Sequence, residues 1–357
     1  MIAKIFVVSD VHGHAGILRE ALEAAGFDPA NENHLLVSCG DHFDRGSENA
    51  ATLDYLESLP NKVLIRGNHE EMLKELLQRG YIEFNDIRNG VGNTVNEFFK
   101  AEEISDGGML RGGAAAKARL LKFIDGTVDY FETKNYIFVH GWIPLAQDEK
   151  WRLYYDDNWR TSCKESFEMS RWMNWNELYR YGLRPEDKTL VCGHRAAMFA
   201  GEFDYTRGRH CYDPFYGDGV IAIDTLTVES KRINVLVIED ELIEPKIHRI
   251  AVPKTQFDRV VSEKKKVELL PFDQKTRSMR SGDFIKVTCE DGENEATVRI
   301  KAVYSYPDVY DAVESFKQSE MGFSGKSRDH IADYLTRIYG EESLRKQGVA
   351  AVCFELS

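Results

Sequence analysis

Five short apolar runs in this chain end the same way, in an aspartate, asparagine or histidine beside a glycine. "KIFVVSDVHG" (4–13), "HLLVSCGDHFDRG" (34–46) and "KVLIRGNHE" (62–70) open the series, and "YIFVHG" (136–141) and "KTLVCGH" (188–194) complete it. Branched apolar runs of this length read as buried strands. Helical patterns alternate with the first three, over residues 15–25, where Ile17, Leu18, Ala21 and Leu22 share a face, then over 48–59 and 70–78. Such a β-α-β-α-β-α opening implies a parallel sheet with helices on both faces. The carboxyl ends of parallel strands share one edge, where ligands bind. The five endings therefore converge on one spot, with glycines that let the backbone turn sharply beside a bound ion.

What could sit there follows from charge. Asp41 and Asp44 stand three apart in "CGDHFDRG" with Arg45 directly after them. Crowded carboxylates resist desolvation unless a cation neutralises them. Either water does this at an exposed turn, or a metal ion and a phosphate do. Carboxylate, amide oxygen and imidazole together suit a metal site. The net charge of −13 argues against a general binder of nucleic acid or anionic membrane. A phosphate-handling site in so acidic a chain would need its cations gathered in one place.

At 357 residues the chain should form about two domains. Strands are also expected at 220–224 and 233–238, the pair closing the first domain as a meander, with a boundary near residue 250. The first domain is thus 1–250, and 251–357 reads as a smaller β-rich α+β domain with strands at 284–289, 296–304 and 349–355 and a helix over 327–339. That tail carries 17 basic against 18 acidic residues, so nearly all the net negative charge belongs to the first domain. No apolar run approaches the roughly 20 residues needed to cross a bilayer, so no membrane association is expected. The six cysteines are scattered without a CxxC pair, which fits reduced thiols in a cytoplasmic protein.

The motifs DxHG, GDxxDRG, GNHE, a later HG and a later GH resemble the signature of the calcineurin-like metallophosphoesterases over residues 1–240. The intact "GDHFDRG" and "GNHE" are similar to the branch holding serine/threonine phosphoprotein phosphatases and diadenosine tetraphosphatases. The resemblance implies an α/β fold, a layered metallophosphoesterase β-sandwich flanked by helices. It implies two divalent metal ions, Mn with Fe or Zn as alternatives, since carboxylate, amide oxygen and imidazole suit all three. Asp10, His12 and Asp41 would hold the first, and Asp41 would bridge to a second completed by Asn68, His140 and His194. A metal-bound hydroxide would attack phosphorus in a phosphate monoester. His69 would protonate the leaving oxygen, Asp44 would orient His69, and Arg45 would grip the phosphate. A second arginine is expected between the last two histidine motifs, and Arg171 fits that place best, with Arg195 a further candidate. "IDTLT" (223–227) is similar to the family's closing "DTG", with Leu226 in place of the glycine. His14 and His42 read as supporting or solvent-facing residues.

Substrate choice is expected from the insert at about 142–187. It holds all five tryptophans, Trp142, Trp151, Trp159, Trp172 and Trp175, interleaved with tyrosines and arginines. They read either as a small core of their own or as a cap whose indoles stack on a base or peptide aromatic. Residues 201–219 read as a rim loop or a surface hairpin. The C-terminal "FDRVVSEKKKVEL", "MRSGDFIKV" and "GFSGKS" resemble an ASCH domain, a PUA-like β-barrel linked to RNA, although Leu270 and Pro271 stand where a basic residue usually follows. Lys264, Lys265 and Lys266 read as a solvated edge or a phosphate-backbone contact. The substrate is thus expected to be a phosphoprotein or, alternatively, a nucleotide or RNA-end phosphate, with RNA a partner of the second domain.

Overall fold

Alternate side chains of the first strand, Ile2–Val8, enter two different cores. The computed structural model describes residues 2–105, 107–150, 152–185, 187–208, 210–290 and 292–357; Trp151 therefore lies outside the described residues. Phe6 and Val8 pack with helix residues such as Leu18, Leu22, Leu53, Leu56 and Leu73. Ala3, Ile5 and Val7 pack instead with Phe138, Val191 and Ile223. A strand with period-two side chains and two buried faces must divide them this way.

The chain forms two units, one of residues 1–143 and 168–243, the other of residues 144–167 and 244–357. In the first unit, Ile2–Val8 pairs in parallel with His34–Ser38, which pairs in parallel with Lys62–Leu64. Leu236–Glu241 runs antiparallel along the other edge of Ile2–Val8. A second sheet orders Phe131–Glu132, Tyr136–Phe138, Thr189–Cys192, Val220–Ala222 and Phe215–Gly217. Helices Ala15–Ala24, Asn49–Ser58 and Asn68–Arg79 share a core with one face of the first sheet.

Two expectations change. Helices do not cover both faces of the first sheet; its other face shares a core with the second sheet. The strands expected to close the domain as a meander lie in different sheets, Val220–Ala222 in the second and Leu236–Glu241 in the first. Residues 215–222 do form a hairpin, Phe215–Gly217 against Val220–Ala222.

The second unit holds a five-stranded sheet in the open order Ile247–Val252, Phe284–Cys289, Glu295–Tyr306, Val349–Leu356, Val267–Pro271. Helix Arg328–Tyr339 begins where Ser327 accepts the His330 amide. Residues 144–167, expected as part of a catalytic-domain insert, group with this unit. Phe167 meets Tyr304 edge-on at 5.9 Å, and Lys164 N–H donates to the Tyr306 hydroxyl at 3.4 Å. Lys265 is on no solvated edge. It is 3 % exposed, with Nζ 2.9 Å from Glu268 and 3.0 Å from Gln256, whereas Lys264 and Lys266 are exposed. Among the described residues no helix is long and apolar enough to cross a membrane.

Candidate metal centre

The backbone of the motif loops is folded tightly before any side chain matters. Asp10, His12, Asp41, Asp44, Arg45 and His194 all take positive φ, between 47° and 74°. That region is costly for side-chain-bearing residues and persists only where neighbours fix it. Here the loops fix one another: Asp10 N–H donates to Gly40 O, His12 N–H to Asp41 O and Gly13 N–H to His42 O. The Thr227 hydroxyl donates to the Asp10 carbonyl at 2.7 Å. Glycines permit the closeness. A Cβ on Gly67 would lie 2.1 Å from Asp41 Oδ1, and one on Gly193 would strike Ser9 Oγ and Asp10 Oδ2.

Glu70 stands beneath this loop cluster, fully buried in the first turn of helix Asn68–Arg79. Its carboxylate accepts the amides of Asp41 (2.9 Å), His42 (2.9 Å) and Gly67 (2.8 Å), and His42 Nδ1 lies 3.1 Å from it. Burial opposes its charge, but His42 holds it down at about 2. His42 is thus buried against Glu70 and not solvent-facing.

His140 and His12 are each held from the far side of the ring. His140 Nδ1 lies 2.7 Å from the Cys39 carbonyl and His12 Nδ1 2.9 Å from the Phe43 carbonyl. A carbonyl only accepts, so those nitrogens carry the hydrogens and each Nε2 presents a lone pair. His140 Nε2 lies 2.8 Å from Asn68 Oδ1 and 3.3 Å from Asp41 Oδ1; His12 Nε2 lies 3.7 Å from Asp41 Oδ2. His194 bonds to the Trp172 backbone, and its Nδ1 lies 3.0 Å from Asn68 Oδ1. Lone pairs facing oxygens repel unless a cation lies among them, which is the demand a metal ion satisfies. In its absence a proton serves: burial would lower His140, but Asp41 lifts it to about 9. Burial and His140 push His194 down to about 3. Burial would raise Asp41, yet His140 and His69 hold it well below the usual carboxylate range.

The six expected ligands are not equally close. Asp41, His140 and His194 bring one ligand atom each within 4.8 Å of one another, as do His12, Asp41 and His69. Asp10 stands beside them, its Oδ2 accepting the His194 amide at 3.0 Å and the Ser9 hydroxyl. Burial lifts it to about 6, against the pull of His140.

His69 Nδ1 lies 2.8 Å from Asp44 Oδ2, and Arg45 Nη2 lies 3.1 Å from His69 Nε2. Burial would lower His69, but Asp41 and the Asp44 hydrogen bond raise it. Arg45 is exposed. Arg171 is not: at 4 % exposure, its guanidinium lies 3.1 Å from Glu71 and 2.5 Å from Asp129. Two carboxylates thus hold Arg171 in place. The Arg195 guanidinium lies over the Phe199 ring.

The described tryptophans do not share one core. Trp142 and Trp175 are buried, Trp175 stacking on Phe215 at 4.9 Å, while Trp159 belongs to the second unit. Trp172 is 49 % exposed and meets His194 edge-on at 6.1 Å. Sequence reasoning missed Ser9, Asn49, Glu70, Thr94 and Asp224. All are buried polar residues around the site, and motifs could have flagged Glu70, directly after Asn68 and His69, and Asp224, inside "IDTLT".

Residues 3–223 match the family model described as calcineurin-like phosphoesterase. The chain is 43 % identical over 68 residues to serine/threonine-protein phosphatase 2 of Salmonella typhimurium, covering 19 % of this chain and 30 % of that protein. It is 41 % identical over 64 residues to the symmetrical bis(5′-nucleosyl)-tetraphosphatase of Aeromonas hydrophila, covering 18 % and 23 %. A solved serine/threonine phosphatase from Saccharomyces cerevisiae aligns at 14 % identity and TM-score 0.37, over 68 % of this chain and 81 % of that one. The chain spans a third or less of the length of these two curated relatives.

Proposed function

Because the chain belongs to the calcineurin-like phosphoesterase family, we propose that it hydrolyses phosphate monoesters with two divalent cations held by Asp10, His12, Asp41, Asn68, His140 and His194. The observation that carries this reading is the convergence of imidazole lone pairs on Asp41 and Asn68 beside the oriented His69–Asp44 pair. Ions bound there would acidify a water and neutralise phosphoryl oxygens. Manganese, iron and zinc all suit the donor set.

The side chains supply the rest. Arg45, exposed at the site, gives its guanidinium to the phosphate. His69 gives a proton from Nε2 to the leaving oxygen, while Asp44 holds the Nδ1 hydrogen and keeps the ring turned. A ring protonated on Nε2 cannot accept from Arg45, so drawing Arg45 onto phosphate also frees that nitrogen. With its six cysteines outside any disulfide, the protein suits a reducing cytoplasm.

Phosphoproteins are the leading substrates, by the likeness to the Salmonella phosphatase. Trp172, half exposed against His194, favours a second reading in which a nucleobase stacks there. In that reading the substrate is a dinucleoside polyphosphate or an RNA end, with RNA bound by the second, ASCH-like unit. With Mn²⁺, the protein should hydrolyse phenyl phosphate, and His69→Asn should lower kcat about 10²-fold or more at unchanged metal content. An unchanged rate would remove the acid role, and no turnover with any divalent metal would remove the hydrolase reading. Comparing kcat/KM for phosphopeptides and dinucleoside polyphosphates decides between the substrates.

A further inference from the structure

Asp44 is gripped from a helix that carries none of the sequence motifs. Helix Val91–Phe98 buries Val91, Thr94 and Val95. Its Thr94 hydroxyl makes two contacts with one residue: it donates to Asp44 Oδ1 and accepts the Asp44 N–H at 3.0 Å. The other carboxylate oxygen, Oδ2, meets His69 Nδ1 at 2.8 Å. The carboxylate is therefore fixed at both ends, and Thr94 fixes the end away from the histidine. Asp44 N–H also donates to Asn49 Oδ1 at 2.7 Å. Arg45 is held from the same turn, its N–H on Gly90 O at 3.3 Å and its carbonyl accepting Asn93 Nδ2 at 2.8 Å. Asp44 and Arg45 both sit at positive φ, 74° and 55°, a conformation that needs outside support.

We propose that Thr94 is a positioning residue for proton delivery: by pinning Asp44 Oδ1 and the Asp44 amide, its hydroxyl aims Oδ2 at His69 and so aims His69 Nε2 at the leaving oxygen. The inference rests on the general-acid reading of His69. A valine has the same shape as threonine without the hydroxyl. It leaves the Asp44 carboxylate free to rotate, and the ring loses its fixed partner.

The leaving group separates this role from a structural one. p-Nitrophenolate departs with little help from an acid, whereas phenolate and alkoxides need the proton. Thr94→Val should lower kcat on phenyl phosphate about tenfold, the scale of one hydrogen bond to a charged group. On p-nitrophenyl phosphate the loss should stay below about threefold, with KM little changed. Thr94→Ser should restore the rate. Proton NMR of the metal-free protein gives a readout apart from turnover. A downfield His69 Nδ1–H resonance should be present in the wild type and in Thr94→Ser, and broadened or lost in Thr94→Val. His69→Asn, measured alongside, should show the same leaving-group pattern more strongly.

If His69→Asn shows that pattern and Thr94→Val slows all substrates equally, or Thr94→Ser fails to rescue, the positioning role is overturned and the acid reading stands. If His69→Asn slows all substrates equally, the acid reading falls and this inference with it. Should Thr94→Val not fold, Thr94→Ala, which leaves room for a water, carries the same comparison.

Discussion

Glu70→Gln tests whether the loop cluster depends on one buried charge. The wild-type carboxylate takes three backbone amides at 2.8–2.9 Å and faces His42 at 3.1 Å. A carboxyl that titrates near 4.5 in the unfolded chain and at about 2 in the folded one contributes about 3 kcal/mol of stability at neutral pH. The folded value is depressed, so this stability is complete above 4.5 and is lost as pH falls toward 2, about half remaining near pH 3. Glutamine keeps the shape and one acceptor but not the charge. In the metal-free protein at pH 7, the first unit, of roughly 200 residues, should therefore melt about 6–12 °C lower in Glu70→Gln. The gap should narrow as pH is lowered from 5 to 3. Circular dichroism melts across that range read both effects. A variant within about 2 °C of wild type at pH 7, or a gap that stays constant into acid, would show that the carboxylate's charge does not hold these loops.

Two further outcomes follow. In the second unit, Lys265→Met strands Glu268 without its cation in a buried setting, where Oε2 already has no hydrogen-bond partner among the described residues. It should cost about 3–5 kcal/mol by chemical denaturation, and adding Glu268→Leu should recover most of that; equal stability of wild type and Lys265→Met would refute the buried pair. At the candidate centre His140 sits at about 9 in the absence of metal and is protonated at pH 7. Binding of Mn²⁺ there must displace that proton, so affinity should rise up to about tenfold per pH unit toward 9. Calorimetry in buffers of different ionisation enthalpy counts the proton, and a flat affinity between pH 7 and 9 would contradict the assignment.

Apolar runs and the residues directly after them were legible in the sequence because both are local. The strands at 34–38 and 189–192 and the helices that follow Gly13 and Gly67 lie within a few residues of the reading. Partners set by distant chain were not legible. Nothing in "HLLVSC" says whether a face of its sheet meets helices or a second sheet, since a buried strand is apolar on both sides either way. Arg171 shows the same limit: its spacing fitted a phosphate contact, and the Glu71 and Asp129 carboxylates that hold it were not visible as its neighbours. Thr94 supports Asp44 from elsewhere in the fold, and an isolated threonine carries no such message; Glu70 stands inside "GNHE", but the motif does not say that its carboxylate takes the Asp41 amide. Leu226, in contrast, could be read: it replaces a glycine in a familiar pattern, and it does take the left-handed conformation glycine favours, φ 54°, with its amide on Asp224 Oδ1 at 2.6 Å.

The supports share a geometric rule that explains why so many buried polar residues surround so small a site. His12 and His140 are each tied through Nδ1 to a carbonyl, Asp44 through Oδ1 to Thr94, and the Asp41 backbone through its amide to Glu70. Every tie uses the end of the group that faces away from the centre. The inward ends are left with one another, lone pair toward lone pair, in an arrangement that water or side-chain rotation would ordinarily relax. Packed loops at positive φ prevent that relaxation. The conflict is consequently local and directional, and it can be relieved only by something positive and compact entering among the inward atoms. A proton on His140 relieves part of it; divalent cations would relieve more, because they engage several of those atoms at once. Holding candidate ligands by their outer ends would thus turn a cluster of mutually repelling groups into a receptor for cations.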